Sequence, residues 1–260
     1  MTGPLYQVRD LTRVFGRRRQ TRALDGVSLD VRAGQRLGIV GESGSGKSTL
    51  IRLMAALDRP TSGRISFEGR EITGLREARL GFLRASVQLV FQDPRSSLNP
   101  RMTVGSIVTE PLRSRHLVGA LGEGVDHGRR LQEVLAAVGL PPDAAQRFPH
   151  EFSGGQRQRI AIARALAPDP RVLIADEPVS ALDVSVRAQV LNLLADLVAA
   201  HGLTLIFVSH DLAVVRHLCD SVVVLRAGRI EEQGPSERVF AEPEAAYTRA
   251  LIEAVPTIRL

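Results

Sequence analysis

The stretch GESGSGKS, Gly41 to Ser48, follows the apolar run Leu37 to Val40 and precedes the helix-like segment Thr49 to Leu57. It fits the phosphate-binding pattern G-x-x-x-x-G-K-[ST] at each constrained position, and it has the strand and helix on either side that this pattern requires. Its small residues let backbone N–H groups converge on an anion, and the helix N-terminus adds a favourable partial charge. A glycine-rich turn that binds nothing is the alternative, but the flanking elements favour a P-loop.

Two side chains of this loop predict its ligand. Lys47 is the only lysine in the sequence. A compact ammonium on a flexible stem can reach the β- and γ-phosphates of a nucleotide, where a rigid guanidinium fork would fit poorly. The Ser48 hydroxyl can bind the Mg²⁺ ion that accompanies those phosphates. We therefore predict a nucleoside triphosphate and Mg²⁺ as ligands.

The composition is that of a globular chain. With 260 residues, 44% of them hydrophobic and 24% charged, the chain can bury a full core. No apolar run approaches the length of a membrane span and the N-terminus lacks an apolar signal core, so we expect a cytoplasmic protein. The basic residues behind the net charge of +6 are scattered and aromatic residues make up only 4%, which argues against nucleic acid as a partner. Cys219, the single cysteine, excludes an internal disulfide and a cysteine-rich metal site, and we interpret it as a small buried hydrophobe.

The residues on either side of the P-loop alternate between strand and turn patterns. Residues 5–36 predict short strands that pair antiparallel ahead of the P-loop strand. Residues 64–72 predict a further hairpin. A strand over 87–93 then ends in polar residues, and residues 94–100, rich in Pro, Ser and Asn, predict a loop.

From about residue 103 the pattern becomes helical, and after residue 170 strands return. The candidate helices of the first stretch are 104–112, 129–138 and 154–166. The second stretch alternates strands at 172–175, 204–208 and 222–225 with helices at 184–200 and 212–218. Short apolar strands alternating with amphipathic helices predict a parallel sheet covered on both faces, here with a helical insertion.

Ligands of such sheets bind at the carboxyl ends of the strands. In this sequence four strand ends carry polar or small residues, namely Gly41, Gln92, Asp176 with Glu177, and Ser209 with His210. We expect these residues to converge on one edge of the sheet.

The stretch VLIADEP places Asp176 and Glu177 directly after an all-apolar strand. Adjacent carboxylates are often only a solvated strand end. In a chain with a P-loop they predict the Walker B arrangement, in which Asp176 holds Mg²⁺ beside Ser48. Glu177 is then the candidate general base that polarises a water in line with the γ-phosphate.

Two further strand ends carry candidate catalytic side chains. His210 could cap the helix that begins near Asp211, or it could bond the γ-phosphate and orient the water, and we favour the second role. Gln92 offers a neutral amide that can bond water or a metal-bound ligand without adding charge. As an isolated glutamine it would carry little information.

The stretch FSGGQRQR, Phe152 to Arg159, opens the predicted helix 154–166 with small residues and so resembles a second anion site. Ser-Gly-Gly is also an ordinary helix-start turn. A chain with one P-loop has no obvious need of two γ-phosphate sites unless the second serves a partner's nucleotide. This reasoning predicts a dimer with ATP between its subunits.

Together the P-loop, FSGGQ, DEP after the apolar strand, SALD at Ser180 to Asp183 and the late His210 resemble an ABC-type ATP-binding subunit along nearly the whole chain. The resemblance implies an α/β fold: a P-loop NTPase (RecA-like) core with an N-terminal antiparallel β subdomain and an inserted α-helical subdomain. It also implies one nucleotide-binding domain over 1–260. This domain would have a core at 1–92 and 171–234, a helical subdomain at 93–170 and a C-terminal helical tail at 235–260.

The same resemblance implies the roles of the site residues. Phe15 would stack on adenine, Gln92 would be the Q-loop glutamine, and His210 the switch histidine. Ser153, Gly154, Gly155 and Gln156 would face the other subunit's ATP, and Asp183 would close the D-loop at the dimer interface. Phe152 replaces the commoner Leu and keeps that position apolar. The P-loop residues that would bind nucleotide are Gly41, Glu42, Ser43, Gly44, Ser45, Gly46, Lys47, Ser48 and Thr49, and the metal-binding residues would be Ser48, Gln92 and Asp176.

Longer stretches, among them VFQDPRSSLNPRMTV and PHEFSGGQRQRIAIARAL, resemble the second ATPase subunit of oligopeptide, dipeptide and nickel importers. The tail AAYTRALIEAVP has Ala245 and Ala246 where that family usually shows His-Pro. The resemblance implies an ATPase that powers import of peptides or a related small solute, including nickel or a metal chelate. Its partners would be a second ATP-binding subunit, two integral-membrane permeases and an extracytoplasmic solute-binding protein, which would hold it at the cytoplasmic face of the membrane.

Two alternatives accompany this interpretation. A soluble accessory ATPase of a phosphonate-cleaving complex is similar in length and motifs.

The apolar residues Met102, Val104, Ile107 and Val108 could simply pack the helical insertion. In the resembled importers this region borders a groove for a short helix of the membrane subunit, so we expect some of these side chains to be exposed.

Overall fold

The computed structural model of the chain describes residues 3–16, 20–114, 117 and 125–254, which form two compact units. The first unit comprises the chain up to Leu75 and again from Thr204 onward, and the second comprises Arg76–Leu203. The P-loop and His210 belong to the first unit, whereas Gln92, Asp176, Glu177 and the FSGGQ stretch belong to the second.

Among the described residues the strands are β1 (Tyr6–Phe15), β2 (Thr21–Val31), β3 (Arg36–Val40), β4 (Ser62–Phe67), β5 (Arg70–Glu71), β6 (Val87–Val90), β7 (Val172–Asp176), β8 (Thr204–Val208), β9 (Ser221–Arg226) and β10 (Arg229–Pro235). The α-helices are α1 (Lys47–Met54), α2 (Gly81–Ser86), α3 (Pro94–Ser97), α4 (Val104–Thr109), α5 (His127–Ala137), α6 (Gly154–Leu166), α7 (Val184–His201), α8 (Leu212–Leu218), α9 (Ser236–Ala241) and α10 (Ala246–Glu253). Short 3₁₀ helices occur at Glu77–Arg79, Pro111–Arg113, Pro142–Gln146 and Pro149–Glu151.

The antiparallel sheet of the first unit has the strand order β2-β1-β4-β5. Alternate residues of β1 are buried, and the Tyr6 ring packs against Phe67 with ring centroids 4.9 Å apart. The Tyr6 hydroxyl donates a hydrogen bond to the Met54 carbonyl at the end of α1 (3.1 Å), so the sheet is tied to the P-loop helix. The predicted antiparallel pairing before the P-loop and the predicted hairpin after it are both confirmed.

The P-loop follows β3, which belongs to the parallel strands of the first unit. β3 lies between β8 and β9, parallel to both, and β10 pairs antiparallel with β9. All five residues of β8 and four of the five in β3 are buried, as strands covered on two faces must be. Gly38 of β3 has no room for a side chain, because an added Cβ would lie 2.3 Å from Val215 Cγ1 of α8. The carboxyl ends of β3 and β8 lead into Gly41 and His210.

The second unit contains the parallel pair β6–β7 and the helices around α6. Helix α6 is largely buried, with Ile160 to Ala163 inaccessible on every side, and it contacts α3, α4, α5 and α7. The predicted helix 154–166 has these bounds in the structure. Helix α5 begins two residues before the predicted position, because Asp126 accepts hydrogen bonds from the N–H groups of Gly128 and Arg129 and so caps its N-terminus.

The structure corrects the prediction for the segment after β6. The strand ends at Val90, and residues 94–97 form the one-turn helix α3 rather than a loop. Pro94 suits the first turn of a helix, which lacks N–H partners anyway, and Ser97 N–H reaches the Asp93 carbonyl (3.3 Å).

The expected exposure of the apolar set at residues 102–108 holds only in part. Val104, Ile107 and Val108 are at most 1% exposed, and only Met102 of that set is partly accessible. Their spacing of three and four residues places them on one face of α4, which packs against α6. The alternative interpretation, core packing, therefore holds for these three residues.

Within the described ranges, no helix is both long enough and apolar enough to span a bilayer.

Candidate nucleotide site

The P-loop runs from the end of β3 to the start of α1, and two of its glycines are required by close backbone approaches. A Cβ on Gly41 would lie 2.1 Å from the Leu225 carbonyl oxygen, and one on Gly46 would lie 2.5 Å from the Ala23 carbonyl oxygen. The Gly228 N–H donates to the Ser45 carbonyl (2.9 Å). The loop is therefore held from outside by backbone of β2, of β9 and of the turn after β9.

The inner side of the P-loop carries Lys47, whose side chain is buried. Its ammonium donates to the Gly41 carbonyl (2.7 Å) and the Glu42 carbonyl (2.8 Å). Helix α1 begins at Lys47, its N-cap residue Gly46 provides no side-chain cap, and its first turn has no acidic residue. A positive helix end without acidic side chains and a fixed ammonium together form a site for an anion such as a phosphate.

Phe15 lies at the end of β1 in the same unit and is 40% exposed. The Arg13 guanidinium carbon lies 4.3 Å from the Phe15 ring centroid, and Arg13 is itself held by two hydrogen bonds to Asp58 (2.9 and 3.0 Å). The ring is thus fixed by a cation–π contact while remaining exposed, which suits a platform for a flat ligand.

His210 follows β8 and is exposed. The cap of helix α8 is provided by Asp211, whose Oδ1 accepts hydrogen bonds from the N–H groups of Ala213 (3.1 Å) and Val214 (3.3 Å). The capping role that the sequence left open for His210 is therefore filled by its neighbour.

In the second unit the structure brings Gln92 and Glu177 together. The Gln92 amide donates to Glu177 Oε2 at 3.2 Å. Glu177 has φ of 45°, a left-handed conformation that is strained for a residue with a side chain. Its carbonyl accepts hydrogen bonds from the N–H (3.2 Å) and hydroxyl (3.1 Å) of Ser180, which hold this turn directly after the Asp176 end of β7.

The FSGGQ stretch forms a capping box at the start of α6. Ser153 Oγ accepts from the Gln156 N–H (3.3 Å), and the Gln156 side chain accepts from the Ser153 N–H (2.9 Å). Gly155 allows close packing of α6 on α7, because an added Cβ would lie 2.3 Å from Val186 Cγ1. Phe152 is buried beneath the Arg147 guanidinium, which lies 4.4 Å from its ring centroid.

Asp183 stands at the N-terminus of α7 without capping it through its side chain, and it is exposed together with Val184, which is 81% accessible. The expected meeting of Asp176 with Ser48 stays a prediction, since these residues belong to different units.

Sequence reasoning assigned no role to Arg13 or Tyr247. Arg13 stands two residues before Phe15 in a strand, a spacing that puts both side chains on one face and could have indicated their contact. Tyr247 accepts a hydrogen bond from the Glu42 N–H of the P-loop (3.3 Å), 205 residues away, and no local pattern indicates this contact.

Comparison with known proteins decides the family. Residues 24–180 match the sequence model of a family described as ABC transporter. The chain belongs to the ABC transporter family. The family resemblance predicted from the sequence motifs is thereby confirmed.

Two relatives of this ABC chain are similar along most of their length. The di/tripeptide transport ATP-binding protein of Pseudomonas aeruginosa is 47% identical over 257 residues, which cover 96% of this chain and 78% of the relative. The oligopeptide transport ATP-binding protein of Bacillus subtilis is 49% identical over 239 residues, covering 92% of this chain and 71% of the relative.

Solved structures support the fold class. An ATP-binding cassette solved as a dimer in a post-hydrolysis state with ADP and Pi is 31% identical, with a TM-score of 0.77 over 89% of this ABC chain and 98% of that chain. The protein cbiO1 from Clostridium perfringens, part of the ABC transporter complex cbiONQ, is 31% identical with a TM-score of 0.79 over 93% of this chain and 92% of that one. The predicted P-loop NTPase fold is confirmed.

Proposed function

We propose that the chain is the ATP-hydrolysing subunit of an ABC importer for peptides or a related small solute. The observation that carries the solute class is its 47% identity, over 257 residues, to a di/tripeptide transport ATP-binding protein. The accessory ATPase of a phosphonate-cleaving complex is not favoured, because both relatives described above are named for peptide transport.

In this proposal separate residues supply different parts of the reaction. Phe15 stacks on adenine, and residues Gly41 to Thr49 surround the phosphates with Lys47 at the β- and γ-phosphates. Glu177 accepts a proton from the attacking water, and His210 bonds the γ-phosphate. Gln92, which bonds Glu177 in this structure (3.2 Å), helps to orient that carboxylate.

The residues assigned to Mg²⁺ suit that ion. Ser48, Gln92 and Asp176 offer hydroxyl, amide and carboxylate oxygens, the hard donors that Mg²⁺ prefers. The described residues include no group of three or more His, Cys, Asp or Glu side chains that could hold a metal ion, so Mg²⁺ would need phosphate oxygens as further ligands. When bound it would neutralise charge on those oxygens.

The remaining site residues serve a second ATP-binding subunit. Ser153, Gly154, Gly155 and Gln156 lie at a helix N-terminus, which suits the γ-phosphate of the partner's nucleotide. Exposed Asp183 belongs to the same dimer interface. We further propose two membrane permeases and an extracytoplasmic solute-binding protein as partners, with this chain at the cytoplasmic face of the membrane and residues 93–170 as its helical subdomain.

Peptide uptake tests the proposal. In cells that depend on this chain and its transporter for uptake of a radiolabelled dipeptide, Lys47→Ala should abolish uptake. In the purified protein the same change should slow ATP turnover about a hundredfold or more, because a phosphate-binding charge is lost. Normal uptake with Lys47→Ala would overturn the transport role, and so would copurification of the chain with a soluble enzyme complex instead of membrane proteins.

A further inference from the structure

The C-terminal helix contacts the P-loop within the first unit. Tyr247, in the first turn of α10, accepts a hydrogen bond from the Glu42 N–H at 3.3 Å. The P-loop sequence pattern does not call for this contact, and the residue comes from an element that the nucleotide-binding motifs do not include.

The peptide group whose N–H donates to Tyr247 also accepts a hydrogen bond from the Lys47 ammonium through its carbonyl. The Glu42 N–H and the Gly41 carbonyl belong to one trans peptide bond, and the Gly41 carbonyl accepts from the Lys47 ammonium at 2.7 Å. In a planar trans peptide the C=O and N–H point in opposite directions. Tyr247 and Lys47 therefore bond opposite ends of the same peptide group.

Tyr247 is itself held in place. The Arg226 guanidinium carbon, at the end of β9, lies 4.7 Å from its ring centroid. The Glu232 carboxylate of β10 accepts hydrogen bonds from the N–H groups of Glu244 and Ala245, each at 3.0 Å, and so anchors the start of α10. The hydroxyl is thus presented to the P-loop by a fixed helix.

We propose that Tyr247 is a positioning residue for Lys47. Its hydroxyl fixes the orientation of the Gly41–Glu42 peptide and polarises that peptide's carbonyl, since linked hydrogen bonds strengthen one another. The carbonyl then holds the ammonium where it meets the phosphates of the nucleotide. The inference rests on the proposed nucleotide site and adds the C-terminal helix to it.

Removal of the hydroxyl alone tests this role. Tyr247→Phe keeps the ring and its contact with Arg226 but loses the hydrogen bond to Glu42. We expect affinity for ATP, measured by isothermal titration calorimetry on the full chain, to fall about twofold to tenfold, the range for one hydrogen bond. Affinity for AMP, which lacks the β- and γ-phosphates, should not change.

A double-mutant cycle distinguishes positioning from general support. If Tyr247 acts through Lys47, Tyr247→Phe should cause no further loss of ATP affinity in a Lys47→Ala background. An equal loss in both backgrounds would overturn the inference, as would unchanged ATP affinity of Tyr247→Phe itself. ATP binding that is unaffected by Lys47→Ala would instead overturn the proposed nucleotide site.

Tyr6 provides a matched control, because it is the other tyrosine of the chain. Tyr6→Phe removes a buried hydroxyl that donates to the Met54 carbonyl (3.1 Å), at the opposite end of α1 from the P-loop. It should lower the thermal midpoint, since a buried carbonyl loses its partner, while ATP affinity stays at the wild-type value. If Tyr6→Phe weakens ATP as much as Tyr247→Phe does, the loss reflects destabilisation and the positioning role is wrong.

Discussion

The single cysteine shows how burial governs the chemistry of one residue. Cys219 is 5% exposed. Burial raises the pKa of its thiol to about 12, with a further increase from Asp220 that the nearby Arg36 opposes. The thiolate is the reactive form, so a thiol that stays protonated far above neutral pH is inert. The prediction of a small buried hydrophobe is confirmed.

We predict that iodoacetamide at pH 8 labels native Cys219 far more slowly than the same residue in urea, where both the burial and the raised pKa are lost. Mass spectrometry of the labelled chain gives both rates. Because the chain has one cysteine, no other thiol confuses the measurement. Equal rates in the two conditions would show that Cys219 is accessible in the folded protein.

At the scale of an element, Glu232 anchors the start of helix α10. Burial raises the pKa of Glu232, but the nearby Thr248 hydroxyl, the N–H groups of Glu244 and Ala245 and the charge of Arg238 outweigh that effect and leave the pKa below its usual 4.5. A carboxylate with a depressed pKa contributes stability that is present above 4.5 and is lost as the pH falls through its lower, folded-state value.

We predict that Glu232→Gln lowers the free energy of unfolding at pH 7 by about 1 kcal/mol, because one of the two oxygens that accept hydrogen bonds from Glu244 and Ala245 becomes an NH₂ group and the charge is lost. Urea denaturation at several pH values measures the difference from wild type, which should shrink as the pH falls below 4.5 because the wild-type carboxylate becomes protonated. Glu231→Gln, at the exposed neighbouring position, is the matched control and should change little. A difference that persists unchanged at low pH would contradict the charge-based anchor.

In the segment from Met102 to the end of α4, some apolar side chains pack in the core and another is accessible to a partner. Met102 is partly accessible whereas Val108 is fully buried in the second unit. We predict that Met102→Glu reduces peptide uptake while leaving ATP binding and the thermal midpoint nearly unchanged, because a membrane partner would meet this side chain.

Val108→Glu should instead lower the thermal midpoint strongly, since it buries an unpaired charge. Uptake assays, calorimetry with ATP and thermal melts distinguish the two results. Normal uptake by Met102→Glu would contradict the proposed contact, and an unchanged melt of Val108→Glu would contradict the observed packing.

At the scale of the whole molecule, ATP should hold two ATP-binding subunits together. Glu177→Gln keeps the shape of the side chain but removes the candidate base and one negative charge from the nucleotide site. We predict that this variant binds ATP, hydrolyses it very slowly and forms a stable dimer, with itself or with a homologous subunit, when ATP and Mg²⁺ are present.

Size-exclusion chromatography with and without ATP measures this dimer. The Lys47→Ala, Glu177→Gln double variant should remain monomeric under the same conditions, because it lacks the charge that binds the phosphates. A single variant that elutes only as a monomer with ATP, Mg²⁺ and each candidate partner subunit would contradict the nucleotide-bridged pair.

Local sequence patterns determined most of the elements and the candidate site residues. The strand Thr204–Val208 and the helices Gly154–Leu166 and Leu212–Leu218 have their predicted bounds, because a buried apolar run or a capped amphipathic turn is specified by adjacent residues. The P-loop was predictable for the same reason, since its glycines, Lys47 and the flanking strand and helix are contiguous.

Only the tertiary structure decided which distant groups meet. Tyr247 bonds the Glu42 N–H across 205 residues, and the burial of Val104 depends on the packing of α4 against α6. Local periodicity predicts neither contact. For Val104 the reason is that a helical stripe is equally apolar whether it packs inside the chain or against a partner. Hydrophobic periodicity specifies that a face is covered, whereas the identity of the covering group depends on how the whole chain folds.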